Sequence, residues 1–350
     1  MDNTTSIKNI LTVFLIVLLV YLMSLLSALL IPLAMALLFA LLFHPLQLLL
    51  IKWRIPKFLT IPIILILSLV IFNFLITSVV LTISEMAKDK EYFISQLNIK
   101  FEQIIIWLDG FTQGRTNVDE MLKALGEYMN FANLTNIFSA IVGRIGNFSG
   151  SFIIFLIYYI LLLSGMYDYK KYLNYVSGKK VNNKIVKNFE NIQRQLVFYI
   201  KFKSMLNLVS TVIFTSILYG FGIRFALFWG ILNFFLNFIP NFGSLFSIIF
   251  VSLMGLIQFD SFNTLLFMII ALLMGNFIIG SLIEPKVMGD KLSLNTVTVI
   301  FGLLFWGYIW GVSGMFLAVP LLVITKVIFE SFPALAPIGR VMGSPEEQSD

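Results

Sequence analysis

Residues 225–259 read FALFWGILNFFLNFIPNFGSLFSIIFVSLMGLIQF, a stretch without a single charged side chain. Two apolar arms, 225–239 and 244–257, flank the Pro-Asn-Phe-Gly sequence at 240–243. As an α-helix each arm would reach roughly 22 Å, which is less than the roughly 30 Å hydrocarbon core of a bilayer. We therefore predict a helical hairpin that enters the membrane, turns at the Pro and Gly, and leaves by the same face.

The composition indicates the same environment. Apolar residues make up 59% of the 350 positions and charged residues only 12%, about half the charged share of soluble domains. There is no cysteine and only one histidine, which excludes thiolate sites and leaves no imidazole cluster for zinc. No motif predicts a nucleotide site, a metal, a cofactor or a catalytic centre. The expected fold is an all-α polytopic membrane protein that is not an enzyme.

Apolar stretches predict about six full spans and a second broken hairpin. Residues 9–51 are long enough for two spans with a bend at Pro32, and further spans are expected at about 58–83, 146–167, 204–222 and 263–283. The second hairpin covers 294–329, where Gly, Trp and Tyr residues between Trp306 and Gly314 interrupt two short arms.

Five regions follow from these boundaries. They are an N-terminal three-span region (1–83), an extracytoplasmic helical domain (84–145), a fourth span with a basic amphipathic helix (146–203), a transport core (204–330) and a flexible tail (331–350).

Loop charges predict the orientation. Segments 52–57 and 168–203 are basic, whereas 84–145 is acidic overall. Because basic loops remain in the cytoplasm, we expect both termini to be cytoplasmic and 84–145 to lie outside. The two hairpins would then enter from opposite faces. The basic segment is attributed to this bias and to anionic headgroups, so no nucleic-acid partner is expected beside the lipid bilayer.

The first hairpin carries the candidate substrate path. Asn233, Asn237 and Asn241 recur every four residues, which places them on one helix face, and Ser244 follows the break at Pro240 and Gly243. These groups can satisfy the backbone freed by a turn inside the membrane, or they can bind a small polar solute. Both roles remain open from the sequence.

Two further sets of residues are candidates. Trp306, Gly307, Gly311 and Gly314 allow close helix packing, or their aromatic rings stack on a ligand. Glu284 and Asp290 follow the sixth span and are candidates for coupling to a proton or Na⁺, with an interfacial ion pair as the alternative for Glu284.

Three segments resemble the autoinducer-2 exporter family of bacterial membrane proteins: FYIKFKSMLNLVS at 198–210, FWGILNFFLNFIPNFGSLFSIIF at 228–250, and IEPKVMGDKLSLNTVTVIFGLLFWGYIWGVSGMFLAVPLLVITKVIFE at 283–330. The resemblance implies an inner-membrane transporter, compatible with a homo-oligomer, that exports autoinducer-2, while some relatives resemble Na⁺(Li⁺)/H⁺ antiporters. Many members have a proline where this chain has Leu294-Asn295-Thr296, so the backbone there is expected to differ.

Three functions compete at this point. Export of a small polar signal needs a neutral, hydrogen-bonding path, which the asparagines provide. A Na⁺(Li⁺)/H⁺ antiporter needs a carboxylate within the membrane, and no acidic residue lies in the centre of an apolar run. A non-transporting membrane scaffold acting through 84–145 would leave the broken hairpins without a purpose.

Overall fold

The computed structural model describes residues 3–343, apart from 90, 94, 97, 101, 104–148, 178–182, 241 and 289–293. The described part is helical throughout. Its helices are α1 (Asn3–Leu25), α2 (Ser27–Lys52), α3 (Lys57–Lys88), α4 (Ser149–Ser177), α5 (Asn183–Gly220), α6 (Ala226–Leu236), α7 (Phe242–Gln258), α8 (Phe262–Asn276), a π-helix π1 (Phe277–Ile283), α9 (Glu284–Met288), α10 (Thr296–Ser331) and α11 (Ala336–Met342).

These helices form a polytopic membrane protein, as predicted. Five described stretches are long and apolar enough to cross a bilayer, namely 27–52, 58–86, 190–220, 262–287 and 296–331. Shorter apolar helices cover 10–25, 151–165, 226–236 and 242–258. Many large apolar side chains on their outer faces are exposed, because the surrounding lipid is as apolar as they are.

Hairpin 1 consists of α6 and α7, and its arms are short. The two helices have 11 and 17 residues. A Cβ added to Gly243 would lie 1.8 Å from the Leu236 carbonyl oxygen, so the returning arm starts directly against the end of the entering arm. Only a residue without a side chain permits that approach.

Hydrogen bonds join the start of hairpin 1 to its end, opposite the turn. Gln258 accepts a hydrogen bond from the backbone N–H of Arg224 (2.9 Å) and donates one to the carbonyl of Gly222 (2.6 Å). The Arg224 guanidinium pairs with Asp89, at the far end of α3. The charged residue before the hairpin therefore ties it to the N-terminal helices.

Hairpin 2 is α10, whose 36 residues would make a span if they were straight. Gly311 breaks the helix with φ 62° and ψ −144°. A Cβ on Gly314 would lie 1.9 Å from the Trp306 carbonyl oxygen, and one on Gly302 would lie 2.4 Å from the Leu322 side chain. Since residues eight apart in a straight helix are separated by about 12 Å, the arms fold back on each other.

The two hairpins enter from opposite ends of the helical body formed by α8, π1 and α9. Hairpin 1 precedes α8, and hairpin 2 follows α9. They meet inside the fold, where Ile239 from the tip of hairpin 1 packs with Leu303, Trp306 and Ala318. The opposed arrangement expected from the sequence is present.

Three boundaries differ from the sequence interpretation. The first long helical region breaks at Leu26, not at Pro32, which lies inside α2. A proline there removes only the hydrogen bond to the carbonyl four residues earlier, and the helix continues across it. Helix α5 runs without interruption from 183 to 220, so the amphipathic helix and the fifth span are one element. In the region expected to be a flexible tail, residues 336–342 form α11, where Asn295 donates its backbone N–H to the Met342 carbonyl. Residues 104–145 of the expected extracytoplasmic domain lie outside the described residues.

Candidate functional site

A cavity of about 580 Å³ lies at the tip of hairpin 1. Helix α5, the tip of hairpin 1, the α8–π1 body and the start of hairpin 2 form its walls. We call it the central cavity. Most of its lining side chains are polar: Lys203, Asn207, Ser210, Asn237, Ser244, Asn276, Ser281, Glu284 and Thr296.

One wall of the central cavity is formed by the apolar part of α5. Ser210 is about ten residues from the end of α5 at Gly220, a distance of roughly 15 Å along the helix. This is about half of the hydrocarbon thickness. The Asn237 side chain donates a hydrogen bond to the Ser210 hydroxyl at 3.2 Å, so the tip of hairpin 1 contacts α5 at this level of the helix.

The tip of hairpin 1 satisfies its freed backbone mainly through its own turn. Asn237, Phe238 and Ile239 donate their N–H groups to carbonyls of the last turn of α6. Asn207 from α5 donates to the Phe234 carbonyl at 3.2 Å. Asn237 does not cap the backbone with its amide nitrogen, which instead reaches across to α5. The Asn237 side chain is therefore part of the polar lining of the central cavity rather than a cap of α6.

The central cavity holds one ion pair. The Lys203 ammonium on α5 pairs with the Glu284 carboxylate at the start of α9. The Lys203 side chain is only 5% exposed, whereas that of Glu284 is 29% exposed. The carboxylate therefore faces the cavity, and the ammonium lies behind it. The pair leaves the site close to neutral overall.

A π-helix positions the carboxylate. Residues 277–283 between α8 and α9 are wound with one extra residue per turn, a geometry that often occurs at functional sites. A Cβ added to Gly280, which lines the cavity, would meet only Asn276 Oδ1, at 3.8 Å. This winding turns Glu284 towards α5 rather than towards lipid.

Behind the tip lies a much smaller space of about 10 Å³, which we call the niche. Ser210, Ser244 and Asn276 line both the niche and the central cavity. Asn233 lines the niche alone, and it is 1% exposed. The remaining walls are apolar side chains of α5, α7 and α8.

A third cavity, of about 520 Å³, lies at the opposite end of the molecule beside Lys100 and Asp260. Leu256, Phe259 and Leu265 contribute to its largely apolar walls. The central cavity is better suited to a polar solute because amides, hydroxyls and an ion pair surround it.

The residues predicted for the substrate path divide into two groups. Asn237, Pro240 and Ser244 line the central cavity together with Glu284, and Gly243 forms the tight turn beside them. Trp306, Gly307, Gly311 and Gly314 lie where the arms of hairpin 2 meet and do not line the cavity, so their contacts favour the packing role. Asn241 and Asp290 lie outside the described residues.

Sequence reasoning missed Lys203, Asn207 and Ser210. The signal was present, because these residues recur at i, i+4 and i+7 in the mainly apolar second half of α5. That spacing places them on one helix face. The sequence interpretation places Lys203 at the end of the basic segment 168–203 instead. Within the described ranges, no group of three or more His, Asp or Glu side chains could hold a metal ion.

Two broken apolar hairpins beside a polar cavity are typical of membrane transporters. The comparison with known proteins agrees: residues 10–334 match the family described as AI-2E family transporter. The chain belongs to this family.

Similar proteins occur in several bacteria. A protein of Borreliella burgdorferi named "Putative transport protein" is 26% identical, covering 87% of this chain and 81% of its own length. One of Haemophilus influenzae is 28% identical, covering 84% of each. The AI-2 transport protein TqsA of Escherichia coli K12 is 24% identical, covering 82% of this chain and 81% of its own length. Transport across a membrane is therefore the activity of this class of protein.

Proposed function

We propose that the chain is a secondary transporter that exports a small polar organic signal such as autoinducer-2. The central cavity is the main support for this proposal, because it is large enough for a small molecule and is lined by amides and hydroxyls. Such groups can replace the hydration of a neutral polyol, because each offers a donor, an acceptor or both. The name of the Escherichia coli relative supports this substrate class.

In this proposal the Asn237 amide and the Ser244 hydroxyl bind the solute at the tip of hairpin 1. Asn207, one turn from Lys203 on α5, contributes from the opposite wall. The hydrogen bond between Asn237 and Ser210 separates the cavity from the niche, so it must open or shift if the solute passes behind the tip.

The ion pair is the proposed coupling element. A proton or Na⁺ that reaches Glu284 would neutralise the carboxylate and release the Lys203 ammonium. Because the two residues lie on different helices, their separation would free π1 and α9 from α5. The same carboxylate supports the second candidate, a Na⁺(Li⁺)/H⁺ antiporter, in which the cation is itself the substrate.

We further propose that the protein resides in a bacterial inner membrane with both termini in the cytoplasm. The basic segments at 52–57 and 168–203 support this orientation, since Lys and Arg accumulate in cytoplasmic loops. The mouth of the central cavity beside Glu284 would then face the cytoplasm.

Flux measurements in proteoliposomes test the function. The purified full chain should move autoinducer-2 down its gradient, and Glu284→Gln should alter the dependence of this flux on pH or Na⁺. Flux of Na⁺ against protons without flux of autoinducer-2 would favour the antiporter. Vesicles without protein, and vesicles with Asn237→Ala, are the controls. No flux of either substrate would reject the proposal.

A further inference from the structure

The niche behind the tip of hairpin 1 contains a buried amide whose nitrogen has no partner. Asn233 is 1% exposed, and its Nδ2 atom finds no hydrogen-bond acceptor among the described residues. Leaving such a donor unsatisfied in the interior destabilises the fold. A protein keeps a group of this kind when something else satisfies it.

The dimensions of the niche limit what can bind there. Its volume of about 10 Å³ is close to the minimum that one water molecule needs. Three further polar side chains, Ser210, Ser244 and Asn276, border it from three other helices. A bound water normally makes about three hydrogen bonds, which these four groups can provide.

The chemistry of the niche limits the ligand further. No carboxylate lines it, so a cation would find no countercharge there. An N–H group that lacks a partner requires an acceptor, and oxygen is the acceptor of that size. The remaining walls, which include Ile213, Phe214 and Leu272, exclude anything larger while the tip stays in this position.

We propose that the niche is a binding site for one hydrogen-bond-accepting oxygen atom, supplied either by a resident water or by a hydroxyl or carbonyl group of the transported solute. The niche adjoins the central cavity through Ser210, Ser244 and Asn276. Asn237 bonds to Ser210 at this boundary. An oxygen that moves past Asn237 reaches Asn233, which lies one helical turn earlier in the chain, on α6. The solute source rests on the proposed function, whereas the water source does not.

The thermal unfolding of the purified full chain tests the proposal without any transport. Asn233→Leu replaces the amide by an apolar group with the same number and branching of heavy atoms. If an oxygen is bound in the niche, the variant loses the hydrogen bond to it and places an apolar side chain against the site. Its unfolding midpoint should therefore fall by at least roughly 2 °C. Asn233→Ser keeps a donor and leaves room for water, so it should retain most of the stability.

Thr215→Val is the matched control. The Thr215 hydroxyl is also buried without a partner, but it lines neither the niche nor the central cavity. Its replacement should leave the midpoint unchanged or raise it. The proposal is overturned if Asn233→Leu is as stable as the unaltered chain or more so, or if Asn233→Ser is as unstable as Asn233→Leu.

Autoinducer-2 then distinguishes the two sources. A rise of the midpoint in the unaltered chain that is lost in Asn233→Leu assigns the oxygen to the solute. An equal rise in both proteins assigns it to water. If autoinducer-2 shifts neither protein and is not transported, the proposed function fails, while the comparison without ligand still decides whether the niche binds an oxygen.

Discussion

Removing one partner of the Lys203–Glu284 pair should destabilise the protein unequally, depending on which partner is lost. Glu284→Gln leaves an ammonium group on a side chain that is only 5% exposed. An uncompensated buried charge of this kind costs about 3–5 kcal/mol. Lys203→Met instead leaves a carboxylate that is 29% exposed in a polar cavity. Water can solvate that carboxylate, so we expect a loss of only about 1–2 kcal/mol.

The double variant Lys203→Met/Glu284→Gln contains no unpaired charge. It should therefore be more stable than Glu284→Gln alone, with a coupling energy of about 2 kcal/mol or more between the two positions. The assay is the unfolding midpoint of the purified protein in detergent. For a chain of 350 residues, a loss of 3–5 kcal/mol corresponds to a fall of about 4–7 °C.

Asp89→Asn is the matched control, because it makes the same type of change at the pair with Arg224. The side chains of that pair are 36% and 42% exposed, so its loss should cost no more than about 1 kcal/mol. Equal effects of Glu284→Gln and Asp89→Asn, or strictly additive effects in the double variant, would refute the claim that the Lys203 ammonium depends on Glu284.

Three further predictions concern the hairpins and the orientation. Gly311→Ala should destabilise the protein by about 1–3 kcal/mol, because φ is 62° and ψ is −144° there; Gly165→Ala, in a helix with open space around it, should be neutral or stabilising in the same unfolding measurement. Asn237→Ala should lower the flux of solute at least several-fold while the protein remains folded by size-exclusion chromatography, and normal flux would show that the amide only supports the turn. With no native cysteine, Arg115→Cys should react with an impermeant thiol reagent from outside and Lys180→Cys should not, and the reverse pattern would overturn the orientation.

The hairpins were predictable because they depend on chain length and local breaks. Arms of about 15 apolar residues cannot cross a bilayer as straight helices, and Pro240 and Gly243 mark the turn. Asn237 and Glu284 could be named for the same local reason, since each lies where an apolar segment ends.

The partners of these residues were not predictable from the sequence. Lys203 and Glu284 are 81 residues apart, and the charge count along the chain assigned Lys203 to a cytoplasmic segment. The continuity of α5 and the extra winding of π1 bring the two together, and neither leaves a distinct pattern. The Trp and Gly residues of hairpin 2 favoured packing over ligand stacking already in the sequence, and the close approach of its arms supports packing.

Chemical blockage of the central cavity tests the account most directly. Gly280 lines the cavity, and a Cβ there would meet no atom closer than 3.8 Å, so Gly280→Cys should fold and transport. Modification of this cysteine by a small, hydrophilic methanethiosulfonate should abolish autoinducer-2 flux in proteoliposomes, and excess autoinducer-2 should slow the modification. The control is Gly165→Cys, on an exposed face of α4, where modification should leave the flux unchanged. Full flux through the modified Gly280→Cys protein would contradict the claim that the solute passes through this cavity.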